Sequence, residues 1–348
     1  MKNFMTNLGM EHIILPFGDR QTLFSYSGDG LTALETFPLF TLDHRAEIGC
    51  SFLVTFAACK SALIVQAWWL TGRVGVPEVI ELPKGICGEA FLVTSADELF
   101  VGGKSDRPWL GRMNLQEPIR SWVSLLPDED LKFANEKGID ALSLTPYGDR
   151  LIAYDNLMLP LYAWIIDRSE QGWSKPRRIE IEPEYTYEHI VSAYATDDLV
   201  YLITRGINHG NSMQFLRRFD RNAEKSELLL SETQKDVYSK NSENDGMFET
   251  GQEWSQVMAT EAGTVLIAAG DHGLGRYDVN SELTYLGDQA AKYIALIDHG
   301  ASVAVAFENR EKAIPSRWEI DVYSTEGRSE FPRLRLNSLA VADAAPDV

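Results

Sequence analysis

Residues 263–287, GTVLIAAGDHGLGRYDVNSELTYLG, limit the fold more than any other stretch of the chain. An apolar, partly β-branched run at 264–269 ends at Gly270-Asp271-His272-Gly273, where two glycines supply the positive φ that a tight reversal requires. Residues 276–279 make the next predicted strand, and 283–286 a third after the turn at Asn280-Ser281. A further strand at 254–260 precedes them, which completes a four-stranded meander. Such a sheet cannot bury both of its faces alone, so it demands neighbours of the same kind.

Those neighbours are visible as a weak repeat: a short apolar strand, a reversal rich in Gly, Asp or Ser, and a second apolar strand. Seven such pairs begin at residues 12, 52, 91, 141, 189, 254 and 293, at intervals of 39 to 65 residues. Third and fourth strands follow in most units. The first and second strands carry small residues, Ala153, Ala193, Ala195, Ala268, Ala269, Ala295, Ala304 and Ala306, as they must where units converge on an axis. Trp164, Phe215, Tyr285 and Trp318 are expected to pack between units. The longest interval holds residues 232–253, with six acidic residues, two lysines and almost no apolar periodicity, which reads as a polar insertion. Residues 338–348 read as a short tail.

Composition excludes some classes. Hydrophobic residues at 45% supply a sizeable core, and 51 acidic against 32 basic residues leave a net charge of −19, which repels nucleic-acid phosphates and favours a basic partner. Cys50, Cys59 and Cys87 lack CxxC spacing and are expected to be buried small hydrophobes. Residues 51–70 have the length of a membrane span. Lys60 at their midpoint would cost about 2.5–3.5 kcal/mol there, so a hairpin, 52–58 with 62–69, is the expectation. The N-terminal residues carry no apolar run of signal-peptide length. A cytoplasmic protein with no membrane contact is expected, monomeric outside its complex.

The repeat over residues 10–337 resembles the β-propellers as a class, in architecture only. No Gly-His or Trp-Asp dipeptide marks WD40 repeats, no S-x-D-x-G-x-x-W box marks a sialidase, and no kelch motif matches. The resemblance implies an all-β fold: one domain of four-stranded blades, seven in number with six as the alternative, spanning residues 1–348. In a propeller the loops after each second strand gather at one mouth of the channel, the default binding site. That register places Lys104, Asp155, Asn156, Arg205, His209, Asp271, His272 and Glu308 there. A second candidate surface is the acidic insertion, with Glu232, Asp236, Glu243, Asp245, Glu249 and Glu253.

Catalytic signatures are missing. Gly102-Gly103-Lys104-Ser105 is like the end of a phosphate-binding loop, but Glu98 stands where the first glycine belongs and Pro108 follows where a helix should start. The six histidines show no metal-ligand spacing, and there is no G-x-S-x-G elbow. No metal, cofactor or catalytic residue is therefore assigned. The expectation is a protein-binding propeller that captures a basic partner, as an inhibitor or immunity protein would. A propeller hydrolase or lyase working at the channel mouth is the alternative.

Overall fold

The computed structural model describes residues 5–7, 10–17, 20–27, 30–38, 47–49, 51–57, 59–69, 72–73, 76–94, 96–137, 139, 143–147, 150–154, 161–169, 172–183, 188–208, 211–233, 253–260, 263–270, 272–278, 283–286, 290–297, 302–309, 317–324 and 334–335. For the first sheet and most of the last the description is of the backbone.

These residues form seven antiparallel sheets, each a meander in chain order, within residues 5–38, 47–81, 87–124, 143–181, 189–233, 256–286 and 290–335. They are numbered sheets 1 to 7 below. The chain is mostly β, with one α-helix among the described residues, Asp128–Lys137, between sheets 3 and 4.

Alternation along the strands explains why the sheets stack side by side. In Leu161–Ser169 of sheet 4, Tyr162, Trp164 and Ile166 face a core shared with Leu92, Phe100 and Leu110 of sheet 3. Leu161, Ala163 and Ile165 face the other way, into a core shared with Ile190, Ala193 and Leu202 of sheet 5. Sheet 3 repeats the pattern, Phe100 on one face and Leu99 and Val101 on the other, where they meet Val54, Phe56 and Leu63 of sheet 2. A strand apolar on both faces is buried on both, and the hydrophobic core is therefore a series of layers between consecutive sheets. Trp164 is fully buried in such a layer, Phe215 is fully buried, and Tyr285 packs partly buried against another layer.

Polar clamps reinforce the layers. Asp97, fully buried in the first turn of sheet 3, accepts hydrogen bonds from the Ser51 amide of sheet 2 (2.8 and 3.1 Å) and from Gln116 Nε2 (2.6 Å). A Cβ on Gly49 would lie 2.2 Å from its carboxylate, so only glycine lets the two turns approach. The adjacent Glu98 reaches sheet 4 instead, accepting from Trp173 Nε1 at 2.9 Å and pairing with Arg168 at 3.6 Å.

Burial raises the Asp97 carboxyl above its ordinary 3.8, against the lowering effect of its hydrogen bonds. Between those two values the native state holds a proton that the unfolded chain has released, so this residue's contribution to stability falls as pH rises through that window. Asp97→Asn should thus gain on the wild type in urea melts as pH is taken from below 3.8 to neutrality. Asp97→Ala should lose about 1–3 kcal/mol, because the Ser51 and Gln116 donors lose their acceptor and φ of 58° suits Asp or Asn better. An Asn variant whose advantage does not change with pH would dismiss the titration.

Two expectations are corrected. The paired strands read at 12–26 and 52–69 are the second and third of their sheets, because the true first strands, Met5–Asn7 and Glu47–Ile48, are too short to leave a pattern. The chain is mostly β, as expected, with one helix at 128–137 that the sequence reading did not place. Cys59 is exposed, in the turn between Phe52–Phe56 and Ala62–Trp69 where Lys60 takes φ 54°, with its Sγ 2.8 Å from Ser61 Oγ. Cys87 is half-buried, and Cys50 lies outside the described residues. Among the described residues no helix is long and apolar enough to cross a membrane.

Candidate functional site

In a four-stranded meander the turn between the second and third strands lies at the same end as the connection to the next sheet, by antiparallel alternation. The other two turns lie at the opposite end, where Asp97 sits. The end bearing the second turns is where the sequence directs attention, and it holds a cleft of about 730 Å³.

Three segments wall this cleft. Pro83, Lys84 and Ile86 come from the connection between sheets 2 and 3. Ser105, Asp106, Arg107, Pro108 and Trp109 come from the second turn of sheet 3 and the strand it opens. Ser124 and the helix residues Asp128, Leu131 and Lys132 close the third side. Lys104, a predicted site residue, ends the strand just before this turn, and its Nζ lies 3.7 Å from Glu89. Asp106 is fully exposed, and the Ser105 hydroxyl, donating at 2.7 Å, holds its carboxyl below the usual range. It stays ionised at neutral pH and cannot serve as a general acid there.

The Trp109 side chain is held by its own strand. Gly111, two residues on and on the same face, would bring a Cβ within 2.0 Å of the indole, so the ring lies over the glycine. Trp122 meets it edge to face, with centroids 5.4 Å apart.

Four other predicted residues, Arg205, Glu232, Glu253 and His272, lie at the same end, between sheets 5 and 6. His189, Arg205, Gln214 and Glu232 stand directly opposite one another across the four strands of sheet 5, a polar row on one face. Arg205 pairs with Glu253 at 3.0 Å. Gln214 donates to Glu232 at 3.0 Å and accepts from the Trp254 amide at 2.9 Å. The Tyr285 hydroxyl of sheet 6 donates to both Glu232 oxygens, at 3.2 and 3.0 Å, and His272 stacks on its ring at 4.7 Å. Burial, with the Glu232 charge beside it, pushes the Tyr285 phenol up. Burial and the Arg205 charge push His189 down, which keeps it neutral at neutral pH. Glu232 therefore sits in the strand Lys225–Thr233 and Glu253 in an ion pair; both carboxylates tie two sheets together.

Asp155, Asn156, His209, Asp271, Asp236, Glu243, Asp245 and Glu249 lie outside the described residues, and Glu308 is described only as part of the strand Ser302–Asn309. Among the described residues no three His, Cys, Asp or Glu side chains are grouped as a metal site would be. Lys84, Arg107, Trp109 and Lys132 were not singled out from the sequence. Of these, only the Gly-x-Trp spacing's mirror, Trp109-x-Gly111, carried a local signal of a ring laid along a strand.

No family model matches the chain, and no curated protein matches it. Among solved structures the chain is similar to the WD40 domain of Neurospora crassa Pan2, at 13% identity and a TM-score of 0.51, over 87% of this chain and 85% of that one. It is similar to the Dos1 propeller at 14% identity and a TM-score of 0.50, over 92% and 82% of the two chains. Puromycin hydrolase matches at 15% identity and a TM-score of 0.53, over 95% of this chain but 53% of the enzyme, so the chain spans about half that protein's length. At these identities the likeness is one of fold, and the fold is a β-propeller architecture.

Proposed function

We propose that this chain is a protein-interaction propeller of seven blades closed into one ring, which captures a basic partner at the end where the cleft opens. A WD40 domain and a hydrolase both stand among its structural neighbours, so the architecture leaves the choice to the site. The observation that carries the reading is the cleft itself. Its lining mixes apolar groups, from Trp109, Ile86, Leu131 and two prolines, with polar groups and charges of both signs, a mixture that protein interfaces share. Ring closure is supported by contacts of Met10–Phe17 with both Glu47–Ile48 and Ala290–Ile297.

The net charge of −19 supports a basic partner. Steering falls to the acidic residues Asp236, Glu243, Asp245 and Glu249, since Glu232 and Glu253 are engaged between sheets. The test is affinity capture from the native host followed by association kinetics with the captured protein. Raising salt from about 0.1 M to about 1 M shortens the Debye length from about 10 Å to about 3 Å, so the on-rate should fall steeply while the off-rate changes less. Converting the four steering residues to amides should reproduce part of that fall. A partner whose on-rate ignores salt would reject electrostatic capture, and a chain that retains no partner would reject the protein-interaction reading.

A further inference from the structure

Resting on the protein-interaction reading, we propose that the cleft holds an acidic, extended segment of the partner, its carboxylates on Lys84, Arg107 and Lys132 and an apolar side chain against Trp109. The argument starts from charge. In a chain with 19 excess negative charges, three cations from three separate segments line one cleft, against two carboxylates. Each carboxylate has a local reason to be there. Asp106 accepts the Ser105 hydroxyl, and Asp128 lies in the first turn of its helix, where the macrodipole favours an acid. The Arg107 charge acts on the neighbouring Asp106, but neither Arg107 nor Lys84, both exposed, makes a salt bridge among the described residues. Lys132 has only the surface pair to Glu136 at 3.9 Å, which is worth little.

The apolar side of the cleft is pre-arranged. Trp109 is braced between Gly111 and Trp122, so little conformational freedom is lost when a side chain packs on it. A basic partner drawn in by the acidic surface meets one patch of reversed sign here, and a match at such a patch fixes its orientation.

The test uses the full chain and two fluorescein-labelled peptides sharing a Pro-Leu-Pro centre, one flanked by glutamates and the other by lysines, titrated by fluorescence anisotropy at about 0.1 M salt. The glutamate peptide should bind, and the lysine peptide at least about tenfold more weakly. The double variant Lys84→Glu, Arg107→Glu should lose the glutamate peptide by about tenfold or more while its melting transition stays in place, since both side chains are exposed. No binding of the glutamate peptide, equal binding of the two peptides, or undiminished binding by the double variant would overturn the inference. The captured partner separates the two ideas: undiminished capture by the double variant removes the cleft from the interface and leaves the protein-interaction reading standing, whereas no capture by the wild-type chain removes that reading.

Discussion

Arg217→Ala should cost about 3–5 kcal/mol of folding stability, because it takes a buried guanidinium away from the fully buried Glu188 carboxylate. The guanidinium meets Glu188 through two parallel hydrogen bonds, Nε to Oε1 at 2.8 Å and Nη2 to Oε2 at 3.0 Å. The Thr204 hydroxyl donates to the same Oε1, and the ring of Phe215 lies 5.3 Å from the guanidinium carbon. Arg217→Lys should recover only part of the loss, since an ammonium cannot reproduce the fork. The informative variant is Glu188→Leu with Arg217→Met and Thr204→Val, which removes charges and hydroxyl together. It should be far less damaging than Arg217→Ala alone, because both charges and the hydroxyl that bonds Glu188 leave together. Urea melts at constant m-value would measure all three. A loss within about 1 kcal/mol for Arg217→Ala would mean that water reaches Glu188 and that the pair does not anchor sheet 5.

That cluster also shows where the sequence stops being readable. The seven paired apolar runs correspond to seven sheets because a continuous apolar run, buried on both faces, stands out in any strand long enough to show it, as in Leu161–Ser169 and Leu199–Asn208. Met5–Asn7 and Glu47–Ile48 hold three and two residues, below the length at which alternation can be told from chance, and the first two units were misframed by one strand. The helix Asp128–Lys137 was missed for another reason. Its sequence DEDLKFANEK is mostly polar, and among its described residues the apolar contact with the core comes from Leu131, Phe133 and Ala134, so its apolar stripe is too narrow to register. Glu232 and Glu253 read as ends of a polar loop because one sequence cannot reveal partners 18 and 53 residues away, Gln214 and Tyr285, or the pairing of Glu253 with Arg205. The end of the molecule that carries the candidate site was legible from antiparallel alternation, and Lys104 falls beside the cleft. Lys84, Trp109 and Lys132 come together only because three connections run to that end, which is a property of the assembled sheets.

Trp164→Ala should be comparably damaging, about 3–5 kcal/mol, because the indole is fully buried in the layer between sheets 3 and 4 and its removal opens a cavity there. More than packing is lost. The indole Nε1 donates to Asp130 Oδ1 at 3.0 Å, and the same oxygen accepts from Arg178 at 3.2 Å. Asp130 belongs to the first turn of the helix, so Trp164 fastens the helix to sheet 4. The next turn of that helix supplies Leu131 and Lys132 to the cleft, which places the Trp164 side chain behind the cleft wall without touching the cleft. Trp164→Phe keeps an aromatic ring in the layer and deletes the hydrogen bond. It should therefore lose less stability than the alanine variant, with Asp130 still held by Arg178. Hydrogen exchange would follow the wall directly: amides of residues 131–137 should exchange faster in Trp164→Phe than in the wild type, while those of Leu199–Asn208, in the neighbouring sheet 5 on the other side of the Trp164 strand, should not change. Equal acceleration in both segments would mean that Trp164 supports the propeller as a whole and gives the helix no separate anchor.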